Sequence, residues 1–550
     1  MIGILSFVGF TLMVAIISYF ATRTTDETSS DGYFLGGRSL TAGVIAGSLL
    51  LTNLSTEQIV GLNGSAYKDG LSVMAWETLA AMAMVVAAIF LLPRYLKGGL
   101  TTVPQFLAER FDVSTKTITS GLFLTGYVVV LLPVILYSGS VAISGMFNVP
   151  ELLEVSEKTA LVICIWGIGI IGSIYAVFGG LKAVAVSDSI NAIGLMIGGI
   201  LIPVFGLMAI GDGSVFVGLE TLMSSNPERF DSTGEAGQEV PFSTIFTGMM
   251  LVQLFYWGTN QQIIQRALAA KNLAEGQKGL LLASFLKILG PLILVLPGMI
   301  AYYYFDGGLA SSDLAYPELV RAVLPSYLVG FFAAVLFGAI LSSFNSVLNS
   351  SVTLFGIDIY KQHINQEASE KTVVKYGKIF GVCLALAAMF IAPMIANAGS
   401  LFNYLQEING IYSIPILTII VVGYLTKRVP AIAAKIGIIS GSLLYIISQF
   451  WLQPKFISAA LEEANAAGVT DAAELALIEA DAYPHYLHVM AILFILNSAI
   501  MLIIGAIYPR KEAFELKYTE QVDITPYKYV KHLGLAVCII VVSIYIYFAK

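Results

Sequence analysis

The sequence predicts an all-α integral membrane protein, and three observations carry that prediction. Of 550 residues, 57% are hydrophobic and only 12% are charged, where a soluble domain carries about 25% charged residues. The mean hydropathy is +0.83. The apolar residues fall in runs of about 20, enough for a helix to cross about 30 Å of hydrocarbon. The lipid bilayer is thus the first partner. A net charge of −7 and a pI near 5.3 argue against nucleic acid. The three cysteines, Cys164, Cys383 and Cys538, lie in apolar runs without a CxxC spacing, so neither a disulfide framework nor a zinc site is expected.

About 14 spans are expected at that length, near 2–21, 41–63, 71–93, 120–147, 159–178, 186–211, 241–261, 279–305, 322–352, 376–396, 400–425, 430–451, 486–508 and 530–549. The first 21 residues contain no Lys or Arg, so they lack the basic start of a cleaved signal peptide. Residues 1–22 are read as a retained extra helix. Loops and flanks on one side hold 22 of the 29 Lys and Arg residues. By the positive-inside rule that side is cytoplasmic and both termini face outward. The outer loops 212–240 and 455–485 are acidic and lack N-glycosylation sequons, which favours a bacterial inner membrane.

Two spans look interrupted. Leu51-Thr-Asn-Leu-Ser-Thr-Glu-Gln58 sets Asn53, Ser55, Glu57 and Gln58 inside an apolar run from about Thr41 to Gly61. Irregular backbone at that depth is tolerated only where protein or a water-filled cavity surrounds it. Gln253-Leu-Phe-Tyr-Trp-Gly-Thr-Asn260 is the counterpart, five spans later and entering from the opposite side. Paired interruptions in oppositely inserted halves mark an inverted-repeat transporter. The halves would be 41–211 and 241–425, with three further helices in 430–550. The plainer explanation is that Gly258 and the polar residues serve helix packing.

Four ionisable residues, Glu57, Glu77, Lys287 and Glu407, fall within spans, each costing roughly 2.5–3.5 kcal/mol at a helix centre. Glu77 and Lys287 can pair and offer an acceptor and donors to hydroxyl groups. Gln58 and Gln406 each present a donor and an acceptor, which suits a neutral polyhydroxylated solute, and Trp76, Phe255, Tyr256 and Trp257 supply flat faces for a ring. Glu57 and Glu407 adjoin better-placed glutamines and are read as structural. In Ala339-Ile-Leu-Ser-Ser-Phe-Asn-Ser346, positions 339, 342, 343 and 346 share one helical face. That face is rich in hydroxyls, which can serve a hard cation beside unwound backbone or simply let helices approach.

These residues resemble the sodium:solute symporter family, in particular its bacterial sodium/sugar (sodium/galactose) branch. The likeness rests on Tyr33-Phe-Leu-Gly-Gly-Arg-Ser39, Asn53-Leu-Ser-Thr-Glu-Gln58, Tyr175-Ala-Val-Phe-Gly-Gly-Leu-Lys-Ala183, Gln265-Arg-Ala-Leu-Ala-Ala-Lys271 and Ser342-Ser343. It runs from about Asp31 to Lys361 and resumes from Gln406 to Gly410. The resemblance implies a five-plus-five inverted-repeat, LeuT-like core with alternating access. It implies a sodium ion (Na+) held by the backbone carbonyls of Leu51, Leu54 and Ala339 and the hydroxyls of Ser342 and Ser343. A second sodium would fall on Asp188, Asn345 and Ser346 beside Ser342, although Asn345 stands where such members carry serine. Asp188 is otherwise a rim charge answering Lys182. The sugar positions that match are Gln58, Glu77, Lys287 and Gln406, with Tyr256 as the inner gate. Gln253, Trp76, Ala80, Leu62 and Phe255 depart in type and alter the rim of the pocket. A hexose is implied, with a polyol, an inositol or another small polar solute as the alternative.

No covalent chemistry is expected, because no nucleophile–base pair or metal cluster is evident and the four histidines lie in loops or at span edges. No obligate protein partner is evident either. A channel would need a continuous polar stripe rather than two local breaks, and a sensor would need a domain beyond the last span. The nearest rival is a proton-coupled symporter using Glu57 or Glu77.

Overall fold

The computed structural model describes residues 9, 11–14, 16–20, 30–309, 311–397 and 401–549. Among them the regular structure is helical, and the β content is one isolated bridge between Leu40 and Ala270. Ten helices are long and apolar enough to cross a membrane, and a pair bent by 48° makes an eleventh. The described residues do not by themselves confirm the expected count of about 14. Part of the difference is that the stretch Thr56–Lys97 counts once, although its first helix ends at Gly70, whose φ is +82°, and a second begins at Ala75, so it holds the end of one expected span and the whole of the next. The expected first helix at 2–21 lies partly outside the described residues.

Nine helices frame the centre of the bundle: α1 (Ala42–Asn53), α2 (Thr56–Asp69), α3 (Ala75–Val86), α4 (Glu157–Ile210), α5 (Met250–Gly258), α6 (Gln261–Leu268), α7 (Leu273–Lys287), α8 (Ser326–Thr353) and α9 (Leu401–Leu425). The spans expected at 159–178 and 186–211 form the one helical stretch α4, so the loop expected at 179–185 is helical. The side chains of 175–180 and 183, most of that sequence motif, lie outside the described ones. Helix α4 packs against α1 and α8, while α7 packs against α1 and α3. The α1–α4 approach is close: a Cβ on Gly47 would sit 2.8 Å from Ser189 Cα.

The first interruption lies where expected, narrowed to Leu54 and Ser55 between α1 and α2. The second is displaced. Residues 253–258 are helical, and the break falls at Thr259–Asn260 between α5 and α6. Asn260 ends it as an N-cap, its side chain accepting from Gln262 N at 3.2 Å, the role that a short polar residue plays at a helix start. A third interruption was not anticipated. After Lys287 the chain turns, restarts as Gly290–Leu294 and restarts again as Leu296–Tyr304. The expected outer loops also contain helices, at Val215–Ser225, Gln453–Ala466 and Ala472–Ala482.

At the Lys- and Arg-rich end, the starts and finishes of the broken helices are tied together. Leu40 N donates to Ala269 O at 3.1 Å and Lys271 N to Leu40 O at 3.0 Å. Glu275 Oε2 accepts from Ala42 N at 2.9 Å, satisfying one of the orphan amides at the start of α1. Nearby, Lys116 and Asp358 form a fully buried ion pair at 3.2 Å, and Thr102 and Ser120 also donate to Asp358. Asp358→Ala strands a buried lysine, which costs roughly 3–5 kcal/mol. The expected outcome is a clear fall in detergent melting temperature, with much of it recovered in a Lys116→Met/Asp358→Leu double variant.

Candidate solute and cation site

The first break frees backbone at the centre of the bundle. Ser55 N, which in an unbroken helix would bond the carbonyl four residues back, donates instead to Asn53 O at 2.7 Å. The Leu51 carbonyl thereby loses its helical partner. Helix α8 lies against this opening. Ser343 Oγ donates to Thr52 O at 3.2 Å, and Thr52 Oγ1 meets Ser346 Oγ at 3.1 Å. Ala339, Ser342 and Ser343 are all buried. Ser342 Oγ lies near the Asp188 carboxylate without a well-formed hydrogen bond. The sequence-derived hydroxyl face and the break are thus brought together, offering neutral oxygens of the kind that hard cations take.

Beside the break lies an enclosed cavity of about 50 Å³ lined by Asn53, Gln58, Trp76, Gln253, Tyr256 and Gln406, with Glu57, Gln262, Ser343 and Asn409 among the others. Four of its oxygens are buried without a hydrogen-bond partner: Asn53 Oδ1, Glu57 Oε2, Gln58 Oε1 and Gln262 Oε1. Glu57, read from sequence as structural, therefore faces the cavity. Glu407 does not line it, and its carbonyl accepts from Tyr445 Oη at 2.9 Å. The volume is far below the ~300–1,000 Å³ of pockets for drug-sized ligands, so the walls leave little room at the centre of the bundle.

Glu77 and Lys287 are placed together but not on the cavity wall. Each is 1% exposed and they are hydrogen-bonded to one another, with Lys287 Nζ 5.7 Å from the Trp257 ring centre. A polar relay stands between them and the cavity: Trp257 Nε1 donates to Gln253 Oε1 at 3.1 Å, and Gln253 Nε2 donates to Trp76 O at 2.9 Å. The glutamine at 253 thus ties α5 to α3. The third interruption accommodates the pair, since a Cβ on Gly290 would lie 2.2 Å from Glu77 Oε2.

The residues implied for a second ion converge around an arginine that sequence reasoning had left inside a motif. Arg266, fully buried on α6, donates through Nε to Ser48 Oγ at 3.1 Å and through its terminal nitrogens to Gln262 O and Ser346 Oγ. Asp188 Oδ2 accepts from Ser48 Oγ at 2.7 Å and lies 3.9 Å from the guanidinium. Asp188 is therefore a buried partner of Arg266, not a rim charge answering Lys182. Asn345 Oδ1 is buried without a partner. Asn260, Gln262, Asn409 and Tyr412 also reach the cavity and were not singled out. The available signal for Asn260 was a short amide residue, two after Gly258, at a position where a helix can restart.

Among the described residues no group of three or more His, Cys, Asp or Glu side chains could hold a metal. Those are charged and soft ligands, whereas the oxygens around the break are carbonyls and hydroxyls.

The model of the sodium:solute symporter family matches residues 33–441. An uncharacterized symporter of Escherichia coli, YidK, is 46% identical over 98% of this chain and 90% of its own. The sodium/glucose cotransporter of Vibrio parahaemolyticus is 32% identical over 75% of this chain and 78% of its own. Human sodium/myo-inositol cotransporter 2 is 30% identical over 81% and 70%. Among solved structures, a Na+-coupled sialic acid symporter in a substrate-bound outward-open state superposes with a TM-score of 0.74 at 17% identity, covering 94% of this chain and 99% of the other. That likeness concerns the fold, and it bears out the all-helical, LeuT-like architecture expected from sequence.

Gly290→Ala tests the packing around the Glu77–Lys287 pair. The added methyl overpacks the carboxylate and is expected to cost roughly 1–3 kcal/mol, read as a lower melting temperature in detergent. Gly121→Ala is the control, because nothing lies within 4 Å of its added Cβ. That substitution, in a helix interior, leaves stability unchanged or slightly raised.

Proposed function

The chain belongs to the sodium:solute symporter family, and from that premise we propose that it couples inward flow of one sodium ion to uptake of a neutral ring polyol, a hexose or an inositol. It is a multi-pass membrane transporter, not an enzyme, and sodium is its coupled ion. The observation that carries the solute class is the set of unpartnered acceptors on the central cavity, three amide oxygens and one carboxylate oxygen, with no lysine or arginine among the described residues of its wall. Such a lining suits a ligand rich in hydroxyl donors. Two relatives named for glucose and myo-inositol transport support the same class. Gln58, Gln406, Gln253 and Trp76 would hold the ring and Tyr256 would gate it. Glu77 and Lys287 would join once the cavity expands past Trp257.

Sodium would sit between the break and α8, on the carbonyls of Leu51, Leu54 and Ala339 and the hydroxyls of Ser342 and Ser343. One ion rather than two is supported by Arg266, which already brings a positive charge to Ser346 and Asp188. The two repeats, 41–211 and 241–425, would rock around this centre, flanked by 1–22 and 430–550. We place the protein in a plasma membrane, with the Lys- and Arg-rich end cytoplasmic and both termini outside. A charge moving down 100 mV releases about 2.3 kcal/mol and a tenfold sodium gradient about 1.4 kcal/mol. One ion could thus hold a solute gradient of a few hundred-fold.

Uptake into proteoliposomes tests the proposal. Sodium should activate transport with a Hill coefficient near one, and unlabelled hexoses or inositols should compete. Ser343→Ala removes a neutral sodium ligand, so half-activation should need about tenfold more sodium (about 1.4 kcal/mol) with little change in solute preference. The rival is proton coupling through Glu57, whose Oε2 faces the cavity unpartnered. Equal accumulation with choline replacing sodium, driven by a pH gradient and lost in Glu57→Gln, would establish that rival instead.

A further inference from the structure

A second cavity lies at the Lys- and Arg-rich end and shares no lining residue with the central one. It has a volume of about 350 Å³ and is formed by three walls: Arg94 and Lys97 at the end of the Leu92–Lys97 helix, the end of α9 through Lys427, and residues 514–516. The third wall belongs to 509–529, a largely non-helical segment that runs across the ends of several helices. It donates from Thr519 N to Lys97 O at 3.0 Å, and Leu273 N donates back to Asp523 O at 2.9 Å.

The walls are fixed to one another without using the basic side chains. Phe514 N donates to Lys427 O at 2.9 Å. Arg110, buried behind the cavity, donates to Gly423 O at 2.9 Å, Thr426 O at 3.1 Å and Val429 O at 3.0 Å. Helix C-termini normally present negative partial charge and would discourage an anion, but here the carbonyls at the end of α9 are occupied by Arg110 and Lys97 O is occupied by Thr519. Arg94 is oriented by one bond to Phe90 O at 2.5 Å and lies 5.6 Å from the centre of the Tyr424 ring. That ring is itself stacked on Phe106 at 3.9 Å. Neither Arg94, Lys97 nor Lys427 forms an ion pair among the described residues. The single carboxylate on the wall, Glu515, is exposed and leaves the cavity net positive.

Three cations without an ion-pair contact, against one exposed carboxylate, are what a phosphate oxyanion requires: a guanidinium for directed hydrogen bonds and ammonium groups as point charges. We propose that this cavity is a binding site for a phosphate group, carried by an anionic phospholipid headgroup at the membrane surface or by a free phosphate in solution. Basic pockets of this kind between spans are a recognised form of headgroup site. Occupation would clamp the 509–529 segment to the helix after α3 and to the end of α9.

Lysine acetylation read peptide by peptide tests this, using full-length protein in nanodiscs. One arm has phosphatidylcholine alone, one adds inorganic phosphate to that, and one replaces part of the lipid by phosphatidylglycerol. At a ligand concentration of ~10 Kd about a tenth of sites remain free, so Lys97 and Lys427 should be acetylated about tenfold more slowly. Lys511 and Lys517, which do not line the cavity, should be unaffected. Protection by phosphatidylglycerol alone identifies a headgroup, and protection by phosphate identifies a soluble ligand. In Arg94→Gln/Lys427→Gln, protection of Lys97 should disappear. No protection in either arm, equal protection of Lys511 and Lys517, or protection that survives the double variant overturns the proposal.

Discussion

The constraint on which the structure depends is that a helix cannot be opened at mid-membrane unless its freed polar groups are answered by protein or by a ligand. At Leu54–Ser55 some are answered internally: Leu54 N donates to Leu50 O at 2.7 Å, and Thr52 O is taken by Ser343. This requires a helix able to come very close while presenting hydroxyls, and α8 does so with Ser342, Ser343 and Ser346 on one face. It also requires support behind α1, which α4 gives by packing nearly backbone to backbone at Gly47. What remains open, the Leu51 carbonyl and the Ser342 hydroxyl, is a set of neutral oxygens suited to one small cation.

The charges around this centre are arranged so that none lies bare against hydrocarbon. Glu77 is matched by Lys287 on one side and Asp188 by Arg266 on the other, and each pair brings its own hydrogen-bonding neighbours. Pairing of this kind offsets a desolvation penalty of several kcal/mol per ion. It also leaves Glu57 as the one acid on the cavity wall. That acid stands in the first turn of α2, directly after the break, so the opened backbone and the cavity wall belong to one short stretch of chain.

Much of this was legible in the sequence, and the reasons for the misses are physical. The break at Asn53–Gln58 stood out because polar residues in a 20-residue apolar run have no other cheap explanation, and the hydroxyl face of α8 followed from helical periodicity. The second break was set too early because the polar Gln253 was taken as its start. That amide is helical and bonds across to Trp76, whereas the true interruption is marked by Asn260 as a cap. The bend after Lys287 had a signal in Gly290-Pro291 that apolar-run counting ignores. Arg266 was invisible as a site residue because its partners Ser48, Asp188 and Ser346 are distant in sequence and meet only in the folded bundle. The helices at Gln453–Ala466 and Ala472–Ala482 are acidic, so a search for membrane spans passes over them.

The narrow cavity has a further consequence for how the cycle is driven. At the Lys- and Arg-rich end, Leu40 is bridged to Ala269 and Lys271 and Ala42 is held by Glu275. At the opposite end, Arg229 donates to the α2 carbonyls of Tyr67 and Lys68 and lies 3.6 Å from the Tyr302 ring centre. The hydrogen bonds of each closure are worth about 1 kcal/mol net apiece, on the scale of the roughly 3.7 kcal/mol one ion supplies, and opening the first also unpacks Leu40, Ala269 and Ala270 from the apolar core. The two closures differ in construction. The first joins α1 directly to the segment following α6, the helices on which the broken halves meet, while the second is a side chain laid over one helix end. Movement of α1 at its break is therefore transmitted most directly to the first closure. In that respect the Leu40–Ala270 bridge is the contact whose persistence or loss should follow occupancy of the break.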